Sequence, residues 1–208
     1  TGKLLNENDI CQPINPYGQT KLAVEKFLND IYHSDPDRWR IASLRYFNPI
    51  GAHESGFIGE DSLDKPNNLY PQITRVAIGK QDCIKIFGSE WPTSDGTGIR
   101  DYIHVMDIAE GHLRTIDYLI KGKPQNIVIN LGTGRGTTVL ELIRTFEKVN
   151  NLSIPFRFEE KRLGDNAYLV ADNSLAKSLL NWVPKKDLND MCRDGWNWQL
   201  KNPNGYET

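Results

Sequence analysis

Cysteine is scarce and poorly spaced for chemistry. Cys11, Cys83 and Cys192 are three in number, far apart and without a C-x-x-C pair, which argues against both a disulfide framework and a zinc–thiolate site. His33, His53, His104 and His112 show no metal-ligand spacing with one another or with the cysteines, so no metal site is expected. An excess of positive charge is also lacking: the formal net charge is −2, and no Lys/Arg run interleaved with aromatics offers a nucleic-acid footprint. No apolar run approaches the roughly 18 residues of a membrane span, and no basic-then-apolar leader opens the chain. These absences point to a soluble protein of the reducing cytoplasm with a small or acidic-to-neutral partner, and to neither nucleic acid nor membrane. The opening TGKLLNENDI has no initiator Met and reads as the middle of a loop, which suggests a segment of a longer protein. At 208 residues the chain can bury a substantial core, as one large domain or as parts of two.

Helix and strand signals alternate along the chain. Pro16 suits a first helical position, Val24, Phe27, Leu28 and Ile31 recur with helical spacing, and Tyr17, Lys21, Val24 and Leu28 share a face. After the polar break HSDPD, RIASLRYF reads as a strand stopped by Asn48-Pro49. The Gly-, Pro- and Asn-rich stretch PIGAHESGFIGEDSLDKPNNL has no period, and loops of that length usually serve a site. Helix YPQITRVAIGK, strand CIKIFG and a second polar loop, EWPTSDGTGIRDY, follow. Then come strand YIHV, helix IAEGHLRTIDYLI with Asp107 and Glu110 as a D-x-x-E capping signal, and strand NIVINL. The helix VLELIRTFEKV should bury Val139, Leu142, Ile143 and Phe146. The last fifty residues, with Trp182, Trp196 and Trp198 near Leu188 and Met191, read as a small helical closing element. Alternating strands and helices predict an α/β fold.

Three motifs bear on chemistry. Tyr17 and Lys21, four apart at the start of a helix, lie one turn apart and can share a ligand. A unit charge about 7 Å away at an effective dielectric of about 20 stabilises a phenolate by roughly 2.4 kcal/mol, enough to make a tyrosine a general base. The same spacing also suits a core tyrosine beside a lysine that snorkels to water, and spacing alone favours that plainer reading. The cluster LGTGRGTT follows a strand and precedes a helix, but Gly132, Gly134 and Gly136 read G-x-G-x-G with no acidic residue at the expected distance. A structural tight turn is the better reading than a pyrophosphate site. Arg100, after the loop DGTG, and Arg162, in EKRLGD, carry the planar donor fork that suits phosphate. His104, inside YIHV, reads as a satisfied buried histidine.

In their order, NPYGQTK, LRYFNPIGAHESGFIGED, PNNL, IFG, DGTGIRDYIHVMDIAEGH and RLGD resemble the UDP-hexose 4-epimerase family of the extended short-chain dehydrogenase/reductase superfamily. The resemblance runs from about residue 13 to the C-terminus. It implies the C-terminal part of a Rossmann-like doubly wound parallel sheet with a smaller mixed α/β substrate domain. Residues 1–48 would be a remnant of the NAD-binding domain. Residues 49–208 would mainly bind UDP-sugar, with some segments returning to the Rossmann sheet. It implies NAD as cofactor, UDP-galactose and UDP-glucose as partners, and a homodimer in the complete enzyme.

By the same resemblance Tyr17 is the acid/base at the sugar 4-hydroxyl, Lys21 binds the nicotinamide ribose, and Tyr46 and Phe47 lie by the nicotinamide. Asn48 turns to the nucleotide-sugar, Asn67, Asn68 and Leu69 meet the phosphates and their surroundings, and Lys85, Ile86 and Phe87 run along the uracil. Arg100 and Arg162 hold the pyrophosphate, and Asp165 a ribose hydroxyl. The implied reaction passes through a 4-keto sugar that rotates before the hydride returns. Leu169 stands where relatives limit the sugar substituent, with preference for plain hexose as the expectation.

The family's opening glycine-rich turn, its ribose-reading acid and its catalytic Ser/Thr lie before the tyrosine and are not in this sequence. The chain alone is therefore expected not to epimerise. The alternatives are another nucleotide-sugar epimerase or dehydratase, which an Asp-Glu pair upstream would mark, a noncatalytic UDP-sugar-binding module, or an inert fragment.

Overall fold

In the computed structural model, residues 2–62 and 66–206 are described. Helix α1 (Pro16–Ser34) starts where the Asn15 side chain accepts from the Gly18 backbone N–H, with Pro16 in the first turn. The missing proline N–H has no intrahelical partner to lose there. Strands β1 (Arg40–Tyr46) and β2 (Asn48–Ile50) follow, then α2 (Leu69–Ala77), β3 (Ile84–Phe87), β4 (Ile99–Arg100), β5 (Tyr102–His104) and α3 (Val105–Lys121). The remainder runs β6 (Gln125–Leu131), β7 (Thr137–Thr138), α4 (Val139–Asn150), β8 (Phe156–Glu159), β9 (Tyr168–Leu169), α5 (Ser174–Leu180) and α6 (Leu188–Lys201).

Pairing is mostly parallel. β1 runs beside β6 in register from Arg40 opposite Gln125 to Tyr46 opposite Leu131. β2 pairs with β5 and β3 with β8, both parallel, while β4 lies between antiparallel β7 and parallel β9. Parallel strands linked through helices make this a mixed α/β fold.

Two apolar clusters hold it. One joins α2, β3, α4 and α6, where Phe146 meets Tyr70 and Trp196 edge to face at centroid distances of 6.0 and 5.7 Å. The other joins β5, α3, β6 and α5 through Ile103, Ile108, Ile129, Leu131, Ala176 and Leu180, closed by Trp182. Trp182 thus belongs to a different cluster from Trp196 and Met191, although the sequence groups them. The closing region also contains β9, which a purely helical reading omits because it is short and paired only with a distant strand.

No residue of α1 is buried, and Val24 and Phe27 are exposed. The side of α1 that meets β1 is marked instead by the ion pair of Glu25 with Arg45, at 2.8 and 2.6 Å. Asp107 is not an N-cap: His104 caps α3, its Nδ1 accepting from the Met106 N–H at 3.0 Å. The buried Asp107 carboxylate instead accepts from the backbone N–H groups of Lys185 and Lys186, each at 3.0 Å, tying α3 to the segment before α6. Glu110 pairs with Arg114 on the helix surface.

Candidate active site

The start of α1, the β1–β2 junction, the N-terminal end of α2, strand β3, strand β4 and the 162–165 turn converge on one cavity of about 730 Å³. Its chemistry follows from who reaches it. Tyr17 enters from α1, Phe47 and Asn48 from the β1–β2 junction, and Asn67, Asn68 and Leu69 from the end of the long polar loop. Lys85, Ile86 and Phe87 come from β3, Arg100 from β4, and Arg162 and Asp165 from the later turn. Three sequence candidates do not line it. Lys21 sits one turn along α1 with its ammonium 5.1 Å from the Tyr17 ring centroid. Tyr46 turns to α3, where its hydroxyl lies 2.7 Å from His112 Nε2. His112 Nδ1 is 2.9 Å from the Ile108 carbonyl, so that nitrogen carries the proton and Nε2 accepts from Tyr46. Leu169 lies in β9 opposite Arg100, in register beside the site.

Three phenols line the cavity, and their surroundings separate them. Tyr70 is buried and donates to the carbonyls of Met191 and Cys192 at 3.0 and 3.2 Å. Burial pushes its hydroxyl well above the ordinary phenol range, and burial does the same to Tyr102. Both stay neutral. Tyr17 is 73 % exposed and has a cation beside it. That exposure removes the reading in which Tyr17 is a core ring. It also means that water screens the Lys21 charge until something covers the site.

The other side of the cavity is cationic. Arg162 lies with its guanidinium carbon 3.6 Å from the Phe87 ring centroid, a stack that fixes the fork's direction. Arg100 is held by donation to the carbonyls of Ile99 and Asn166, both at 2.8 Å. Neither arginine enters an ion pair among the described residues. Lys85 is 3.9 Å from Glu159. With Asp165 as the one carboxylate on the wall among the described residues, the cavity has a positive field suited to a phosphorylated ligand. Among the described residues, no cluster of His, Cys, Asp or Glu could hold a metal.

Sequence reasoning missed Gln72, Trp91 and Tyr102 in this wall. Trp91 is set by its indole N–H donating to the Phe87 carbonyl at 3.3 Å and by the Lys161 ammonium 4.5 Å from its ring centroid. Gly88, at φ +84°, makes room: a Cβ there would lie 2.5 Å from Trp91 Nε1. An aromatic four residues after a strand end is a common loop feature, so no local signal marked it.

The glycine turn at 132–136 lies outside the cavity lining, and its polar groups are taken. Asp101, fully buried, accepts from the N–H groups of Thr133, Gly134 and Ala171 at 2.8, 2.9 and 3.1 Å, and from the Thr133 hydroxyl. A Cβ on Gly132 would lie 2.7 Å from that carboxylate. Burial raises the Asp101 carboxyl above its ordinary value, against the Thr133 hydrogen bonds that lower it. The tight-turn reading of this cluster therefore has a physical basis: a side-chain carboxylate fills the place a phosphate would take.

The fold and this cavity define a mixed α/β protein that gathers one exposed phenol and two guanidinium groups at one site. The family model described as GDP-mannose 4,6 dehydratase matches residues 2–195, and the chain belongs to that family. Within it, the chain is 49 % identical over 194 residues to UDP-glucose 4-epimerase of Bacillus subtilis (strain 168), covering 93 % of the chain and 57 % of that relative. It is 51 % identical over 192 residues to the Pasteurella multocida (strain Pm70) UDP-glucose 4-epimerase, covering 92 % of the chain and 56 % of the relative. It thus spans little more than half the length of these relatives. A solved UDP-glucose 4-epimerase from Bifidobacterium longum in complex with NAD+ and UDP superimposes with a TM-score of 0.92 at 44 % identity, over 98 % of this chain and 60 % of that one. The Stenotrophomonas maltophila enzyme with bound NAD and formylated UDP-arabinopyranose gives a TM-score of 0.92 at 46 % identity, over 96 % and 59 %.

Proposed function

We propose that this chain carries the sugar-nucleotide site of an NAD-dependent UDP-glucose 4-epimerase, which interconverts UDP-galactose and UDP-glucose. One observation carries the reading: a single cavity holds one exposed phenol beside a cation, together with two guanidinium groups that have no carboxylate partner among the described residues. In this reading Arg100 and Arg162 grip the pyrophosphate, and Asp165 and the Asn67–Leu69 segment border it. Lys85, Ile86 and Phe87 run along the base, while Tyr17 and Asn48 face the sugar. Firm binding at the diphosphate and loose binding at the sugar let a 4-keto intermediate turn over before it is reduced.

The residues present fit the nicotinamide end of NAD: an exposed ammonium beside an exposed phenol suits ribose hydroxyls, with Phe47 as an apolar wall and Tyr46 adjoining it. When bound, NAD supplies a reversible hydride acceptor for sugar C4. Tyr17 takes and returns the hydroxyl proton, and Lys21 favours its ionised form once water is excluded. Residues 1–48, together with β6 beside β1, would belong to the NAD-binding unit, and most of 49–208 to the UDP-sugar unit. Leu169, beside Arg100, would bear on sugar substituents. No described helix is long and apolar enough to cross a membrane. We place the assembled enzyme in the cytoplasm as a homodimer, in keeping with three free thiols.

Calorimetric titration with UDP, with GDP as the control, tests the reading. Selective UDP binding by the chain, lost in an Arg100→Ala, Arg162→Ala variant that keeps its fold, is the expected result. Equal affinity for UDP in that variant would remove the arginines from the site.

A further inference from the structure

On the side of α2 away from the active-site cavity lies a second cavity of about 150 Å³. It is bordered by Thr74, Arg75 and Ile78 of α2, by Glu60, Asp61 and Ser62, and by the end of α6 with the segment after it. Its charged groups are unequally provided for. Asp61 accepts from the Tyr206 N–H at 2.9 Å, and the Glu60 carboxylate accepts from the Ser62 hydroxyl at 3.2 Å. The Lys80 ammonium donates to the Pro203 carbonyl and to Asn204 Oδ1. Arg75 has nothing equivalent. Its Nε is the one buried side-chain nitrogen or oxygen without a hydrogen-bond partner among the described residues, and it enters none of their ion pairs.

A buried donor on a permanent cation with no acceptor is costly, because guanidinium keeps its charge where other groups would neutralise. The missing partner is therefore an oxygen acceptor carrying negative charge. We propose that this cavity is a binding site for a small oxyanion, a phosphate or a carboxylate head group, held by the Arg75 guanidinium with Lys80 at its rim. The volume admits such a group and excludes a nucleotide. The site is separate from the one that would hold the sugar nucleotide, with Tyr70 in the wall of both.

Thermal unfolding at constant ionic strength, with inorganic phosphate exchanged for chloride, reads this out. The Arg100→Ala, Arg162→Ala variant is the background, so that the larger cavity cannot supply the effect. Phosphate is expected to raise the midpoint by about 3 °C at saturation in that background, and adding Arg75→Gln is expected to abolish the rise. No rise, or a rise that survives Arg75→Gln, overturns the proposal. Should Arg75→Gln fail to fold, the Arg75 Nε–H resonance in the background variant serves instead. A shift that saturates with phosphate supports the site, and a resonance indifferent to phosphate overturns it.

Discussion

Tyr17 and His104 illustrate how differently a single side chain can be placed. Tyr17 stands exposed next to Lys21, so its removal leaves packing intact and tests chemistry alone. In the assembled enzyme, Tyr17→Phe is expected to lower kcat by about 10²- to 10⁴-fold while UDP affinity stays within about twofold by titration. A parallel loss of UDP affinity would make the residue a binding group. His104 is fully buried. Its Nδ1 accepts from Met106 and its Nε2 donates to Asp194 at 3.2 Å, which together specify the neutral ring. Burial lowers its affinity for a second proton, against the Asp194 and Asp107 carboxylates, which raise it, and with Lys186, which lowers it. The native state thus binds fewer protons than the unfolded chain near and below the ordinary imidazole value of about 6.5. Its contribution is present above that value and lost as pH falls through the depressed native one. The urea midpoint should drop between pH 7 and pH 5, and His104→Gln should flatten that part of the profile.

Elements were legible wherever local signals sufficed. Pro16 after Asn15, and the apolar spacing in 139–150, act within one or two turns, and α1 and α4 begin where those signals lie. The buried face of α4 came out as Leu140, Leu142, Ile143 and Phe146, with Val139 only partly covered. What the sequence could not show is which distant element satisfies a group: Asp107 binding the backbone at 185–186, or Glu25 meeting Arg45. The two-residue strands β4, β7 and β9 exist only through one another. The site divides the same way: its motif residues were visible in the chain, whereas Trp91, Gln72 and Tyr102 joined the cavity through folding. At this scale the test is the α2–α4–α6 cluster. Phe146→Ala, at a fully buried position between Tyr70 and Trp196, should cost about 3–5 kcal/mol in urea unfolding and red-shift tryptophan emission. A cost below about 1 kcal/mol would mean that the cluster closes over the gap.

As a whole molecule the chain leaves apolar surface uncovered. Val24 and Phe27 on α1 are exposed, as are Leu113, Ile116 and Ile120, spaced three and four apart on α3. Between these helices in sequence, β1 has a single strand neighbour among the described residues. Apolar stripes near an open strand edge favour association. Sedimentation of the purified chain should show concentration-dependent association that weakens when Ile116→Lys and Ile120→Glu are introduced together. A monomer at every concentration would mean that these faces are tolerated in water.

The buried carboxylate of Asp101 has one more consequence. A nucleotide-binding loop usually waits for its guest and stiffens on arrival. The turn at 132–136 carries a permanent resident: the anion is part of the chain, placed by the neighbouring strand, and never diffuses away. Its order should therefore be indifferent to which cofactor or sugar is present. The glycine rhythm that makes this loop look like a port of call is the mark of a berth already filled from within.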